Sequence, residues 1–182
     1  FNVGALNWND AWTVVQTGSG GSPPVLDIYN FSIVGIWTYF VLGSNWSYID
    51  IPVDGLLINL GHNHFAGSAE QVRGEFFVAV EMYRARFPST PITAIAQNPW
   101  RDSGGYTKMA DAWKDVCSLR SVALCDVHQT FIDAGKPSGW YIDDVHANQT
   151  GQNNGWDATI WAHWQAATAG TQTIASSLVD VT

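Results

Sequence analysis

A chain of 182 residues with 46% hydrophobic content can build one core of ordinary size, so a single domain is expected. Sixteen acidic residues against eight basic ones leave a formal charge of −8, with no cluster of Lys and Arg to attract a phosphate backbone, so nucleic acid is excluded as a partner. No run approaches the roughly 18 uninterrupted apolar residues of a membrane span, and no basic stretch leading into an apolar core marks a signal peptide, although one already removed would leave no trace.

In chain order, a short helix is expected around Asp10 to Gln16, then a loose loop, TGSGGSPP, from Thr17 to Pro24. VLDIYNFS, from Val25 to Ser32, reads as the first visible strand, and GLLINL, from Gly55 to Leu60, as the second. A helix follows from Ser68 to Phe87, with Val72, Phe76, Val80, Tyr83 and Phe87 on one face and Pro88 to end it. PITAIAQ, from Pro91 to Gln97, is the third strand. A second helix from Tyr106 to Leu119 carries Met109, Trp113 and Val116, and VALCDV, from Val122 to Val127, is the fourth strand. The last helix begins near Asn153 or Asn154, either of which could cap it, and runs through Trp156, Ile160 and Trp164 to Gly170. Strands alternating with helices of this length predict an α/β class, with a doubly wound parallel sheet covered on both faces. One domain then spans residues 1–170, and residues 171–182 form a polar tail.

Only 13% of residues are charged, yet the chain carries 10 Trp, 6 Tyr and 8 Phe, a composition suited to neutral or sugar-like ligands. Cys117 and Cys125 either pair, which would favour an oxidising compartment, or are two buried thiols. The Asn-x-Ser/Thr triplets at Asn30, Asn45 and Asn148 are short enough to arise by chance.

Ligands of an open parallel sheet bind at the carboxyl ends of its strands. The first strand runs into Asn30-Phe31-Ser32-Ile33-Val34-Gly35, the second into Gly61-His62-Asn63-His64, and the third into Asn98-Pro99-Trp100-Arg101-Asp102. The region after the fourth leads to Asp143-Asp144-Val145-His146. These segments resemble the sequence blocks of the SGNH (GDSL-type) hydrolases, serine esterases and lipases on a flavodoxin-like three-layer α/β/α sheet. NFSIVG resembles the second block, GHNH the third and DDVH the fifth, in the right order and together covering most of the chain. The resemblance implies an oxyanion hole from the Gly35 N–H and the Asn63 side chain, with His146 as general base and Asp143 as its orienting carboxylate. Asp144 is then a solvated neighbour. No cofactor or metal is implied.

The family's Gly-Asp-Ser block, which carries the nucleophile at the end of the central strand, has no counterpart here; Phe1 to Leu6 looks like the stretch that follows it. The nucleophile is therefore expected in an upstream segment, or in another chain that completes the sheet, and residues 1–182 alone are expected to be inactive. Ser103 lies in Asp-Ser-Gly-Gly, the tetrapeptide around the nucleophile of trypsin-like proteases, but those are all-β barrels; Ser32 reads as structural, and Ser19 and Ser22 sit in the loose loop. Block three ends in His64 where the family has Asp, so His-x-His is a candidate zinc pair; the stronger expectation is that His62 and His64 line the substrate cleft. Trp100 is expected at the rim, stacking on a sugar ring or acyl chain or packing over the loop. His128 and His163 carry no motif and read as structural.

Two functions follow. One is a secreted or virion-associated esterase that removes a short acyl group, such as acetyl, from a carbohydrate. The other is an inactive SGNH-like module that binds glycans or serves structurally in a larger extracellular or virion-surface assembly.

Overall fold

The computed structural model describes residues 11–15, 25–29, 54–64, 66–102 and 107–168. Gly35, Ser19, Ser22, Ser32, Ser103, the triplets at Asn30 and Asn45, and the tail 171–182 lie outside them.

The first described segment is a strand, β1 (Ala11–Val15), and not the helix expected around Asp10 to Gln16. It pairs antiparallel with β2 (Val25–Tyr29), Ala11 opposite Tyr29 and Val15 opposite Val25. Thr13, Val14 and Val15 are β-branched and follow Trp12, a composition that favours extended backbone; five residues are also too few to sustain a helix without tertiary support. The strand expected from Val25 to Ser32 thus exists, but in a two-stranded antiparallel sheet and not in the parallel one.

The parallel sheet consists of β3 (Leu56–Ile58), β4 (Ile92–Ala96) and β5 (Ala123–Asp126), in the order β3-β4-β5. Side chains on a strand alternate between faces, and β4 shows what this does to the core. Ile92, Ala94 and Ala96 join one apolar cluster, whereas Ile95 joins the other. The first cluster is covered by α1 (Ala69–Arg86) and α2 (Thr107–Arg120), which contribute Val72, Phe76 and Val80, and Met109, Trp113 and Val116. Phe76 stacks on Trp113 with ring centroids 4.1 Å apart. The second face is covered by α3 (Val127–Asp133), through Val127 and Phe131, and by Ile160 of α4 (Ala158–Thr168). The architecture is therefore α/β, with a parallel sheet between two helical layers.

Cys117 belongs to the first cluster and Cys125 to the second, so the sheet lies between them. Both thiols are free and buried, and burial pushes them up to about 12 and about 11 respectively.

Local capping fixes where the helices start. Ser68 Oγ accepts the Gln71 N–H at 3.1 Å to open α1, and Pro88 follows its end. Asp126, the last residue of β5, accepts the Gln129 N–H at 2.9 Å, so strand passes directly into α3. Near the C-terminal end the cap is Asn148 and not Asn153 or Asn154: its Oδ1 accepts the N–H groups of Thr150 (2.9 Å) and Gly151 (3.1 Å). One turn, Gln149–Gly151, a π-helical stretch, Gln152–Asp157, and α4 then follow without a break. Asn148 Nδ2 donates to the carbonyls of Gly139 (2.8 Å) and Tyr141 (3.2 Å), so the nitrogen a glycan would need is already engaged.

Candidate active site

Two chain segments leave the carboxyl ends of β3 and β4 side by side. Gly61 leaves β3 with φ at +142°, a conformation that side chains rarely adopt, beside Met109 and Phe76. The preceding residue is anchored too, since Trp113 Nε1–H donates to the Leu60 carbonyl at 3.0 Å. The chain then turns through a 3-10 helix, His62–His64, with Asn63 at its centre. The His62 N–H donates to Gln97 Oε1 at 2.6 Å, and its ring Nε2 lies 2.7 Å from the Asn98 carbonyl oxygen. Burial lowers the pKa of His62 most, and the nearby charge of His146 lowers it further.

His64 does not line a cleft. It is 1% exposed, with Nδ1 3.2 Å from a Glu75 carboxylate oxygen on α1, and a side chain at Gly67 would meet its ring. His62 thus meets Asn98 and His64 meets Glu75, so the two members of the candidate zinc pair have different partners. Among the described residues no group of three or more His, Cys, Asp or Glu could hold a metal ion.

The third segment is the turn from Tyr141 to Ala147, closed by an antiparallel bridge between those two residues and by Ile142 N–H donating to His146 O at 2.8 Å. Within it Asp143 does two jobs. Oδ1 accepts the N–H groups of Val145 and His146, each at 2.7 Å, which shapes the turn; Oδ2 lies 2.8 Å from His146 Nδ1. The bond to the His146 side chain, followed by the two backbone donors, holds the Asp143 carboxyl far below the usual carboxylate range. A spacing of three thus lets one carboxylate build the turn and orient the ring. The imidazole remains 69% exposed, with Nε2 directed away from its carboxylate partner.

Asp144 is more than a solvated neighbour. Its carbonyl accepts the Arg101 N–H at 2.8 Å, and its carboxylate pairs with the Arg101 guanidinium, which also grips Asp102 at 2.7 Å. A hydrogen bond with Asp102 pushes Asp144 up, whereas Arg101 pulls Asp102 down, as expected for two carboxylates sharing one cation. Trp100 is half-buried and packs against the first apolar cluster, which fits the packing alternative. Sequence reading gave no role to Asn98, which is 3% exposed between these segments. Its partners come from distant parts of the chain, so no spacing rule could have identified it.

No family model matches the chain, and neither does any curated protein. Solved structures do. The fold is similar to that of a member of the lipolytic protein G-D-S-L family from Veillonella parvula, with a TM-score of 0.54 and 13% identity over 75% of this chain and 73% of that one. A carbohydrate esterase family 3 protein from Talaromyces cellulolyticus gives 0.59 and 18% over 75% and 68%. A lipase/acylhydrolase from Enterococcus faecalis gives 0.59 and 12% over 74% and 72%. The chain has the SGNH-hydrolase fold.

Proposed function

We propose that this SGNH-fold chain is an ester hydrolase acting on short acyl esters, with O-acetyl groups of carbohydrates as the substrate class. The observation that carries the reading is the 2.8 Å pairing of Asp143 with an exposed His146, on a turn beside the His62–Asn63 segment. In this reading His146 Nε2 takes the proton of a serine hydroxyl as it attacks the acyl carbon, then passes it to the departing alcohol. Asp143 holds the ring with Nδ1–H toward Oδ2 and stabilises its cation. The Asn63 amide and the Gly35 N–H donate to the oxyanion, and His62 lies on the substrate side. In this reading the nucleophilic serine reaches the site from outside the described residues. The carbohydrate esterase neighbour, the low charge and the aromatic content support the acetylated-sugar class, and a secreted or virion-associated location goes with it.

The second reading is a non-catalytic glycan-binding or structural module. The test is a panel of p-nitrophenyl esters and acetylated sugars offered to the full-length protein. Turnover on acetyl esters that falls with acyl length is expected. His146→Ala should lower kcat by about four orders of magnitude or more, and Asn63→Ala by about two to three, both with unchanged thermal unfolding. Absence of turnover on every ester would overturn the hydrolase and leave the binding module.

A further inference from the structure

The general base and the proposed oxyanion donor sit on segments far apart in sequence, and the Asn98 residue reaches both. Its main-chain oxygen lies 2.7 Å from His62 Nε2, next to Asn63. A carbonyl only accepts, so this nitrogen carries the proton, and His62 is held as one tautomer. On the other side, Asn98 Nδ2 donates to the Val145 carbonyl at 2.9 Å and to the Pro99 carbonyl at 3.2 Å. The orientation of the amide is not arbitrary. Trp156 Nε1–H, a donor only, points at Oδ1 from 3.0 Å, so the NH2 group must face the two carbonyls.

Val145 is therefore held on both of its polar groups, its N–H by Asp143 and its carbonyl by Asn98. Neighbouring residues reinforce the grip: Tyr141 Oη–H donates to the Pro99 carbonyl at 2.9 Å, and the Arg101 N–H to the Asp144 carbonyl at 2.8 Å. The indole that fixes the amide belongs to the π-helical stretch, where Gly155 lets the chain lie against Phe131. π-Helical segments recur at functional sites, where an additional residue in a turn re-aims a side chain.

We propose that Asn98 is a positioning residue that sets the Asp143–His146 turn against the His62–Asn63 segment, with Trp156 locking its amide. This rests on the hydrolase reading, because it gives the base and the oxyanion donor one common reference. An aspartate at this position has the same shape but would present a carboxylate oxygen to two carbonyls, driving the turn away. A displacement of about 1 Å in a reacting group is enough to cost roughly a hundredfold in rate.

The experiment uses the full-length protein and two variants, Asn98→Asp and Trp156→Phe, with kcat and KM measured on the best ester and the Asp143 carboxyl titrated by carbon NMR. Expected for Asn98→Asp is a kcat lower by about a hundredfold per folded molecule, with KM within about threefold. Trp156→Phe leaves Asn98 in place but frees its amide; kcat should fall by about tenfold, and Asp143 should titrate at higher pH as its bonds to Val145 and His146 loosen. An unchanged kcat per folded molecule together with an unchanged Asp143 titration in Trp156→Phe would overturn the proposal. If the wild type hydrolyses no ester, the hydrolase reading fails by itself and the titration alone decides: a shifted Asp143 supports the positioning role, an unshifted one overturns it.

Discussion

The layer under α1 and α2 and the turn from Tyr141 to Ala147 are held by opposite means. In the first, Phe76, Trp113, Val72, Val80 and Val116 are at most 1% exposed, and shape and apolar burial carry the stability. In the second, Asp143 and His146 have side chains that are 51% and 69% exposed, and the turn is held by named polar atoms in fixed directions. Apolar packing tolerates volume-conserving exchange, whereas a network of donors and acceptors does not tolerate an isostere of the wrong polarity. The packed layer can thus vary in sequence more freely than the turn.

Three substitutions probe that contrast. The largest stability change should come from Phe76→Ala, which removes the ring stacked on Trp113: chemical denaturation should show a loss of about 3–5 kcal/mol, with kcat per folded molecule unchanged. A changed kcat would mean that the packed layer and the site are not independent. Gly155→Ala lies where the two regimes meet, because its Cβ would run into the Phe131 ring. A loss of about 1–3 kcal/mol is expected, and because Trp156 is the next residue, kcat should also fall, which distinguishes this change from Phe76→Ala. Stability with no rate effect would show that the π-helical stretch does not position the site.

The smallest effect concerns pH. His128 is 5% exposed, neither ring nitrogen has a hydrogen-bond partner among the described residues, and burial lowers its pKa; Asp126 and Asp111 oppose that, while Lys114 and Lys136 add to it. The unfolded chain takes up a proton below about pH 6.5 that the folded state resists, so stability is full above that pH and declines as pH falls toward the lower folded value. Urea midpoints between about pH 5 and pH 8 should therefore slope less for His128→Gln than for the wild type. Part of the slope should remain, because burial lowers His62 and His163 in the same direction. An identical slope in the variant would show that His128 contributes nothing to it.

Much of this was legible beforehand, for specific reasons. The stripe Val72-Phe76-Val80 and its stop at Pro88 gave α1 to within a residue at each end, because helix period and proline geometry are local properties. The pairing of Asp143 with His146 was implied by the resemblance of DDVH to the family's fifth block, and the two side chains do meet at 2.8 Å. The errors have a common cause. Ala11–Val15 was read as helix because its antiparallel partner begins ten residues later, beyond the reach of any local pattern. Asn153 and Asn154 were the expected caps, and only the hydrogen bonds of the turn put the cap at Asn148.

Composition, period and punctuation by themselves determined the alternation of strands and helices and the identity of the apolar faces, since each depends on residues within a few positions of one another, while the Asp-His turn came from the family resemblance. The fold alone decided that His64 turns inward to Glu75, that the sheet separates Cys117 from Cys125, and that Asn98 meets Val145 across 47 positions and Trp156 across 58. Those contacts depend on which strand ends share an edge, a property of the assembled sheet that no short stretch of sequence contains.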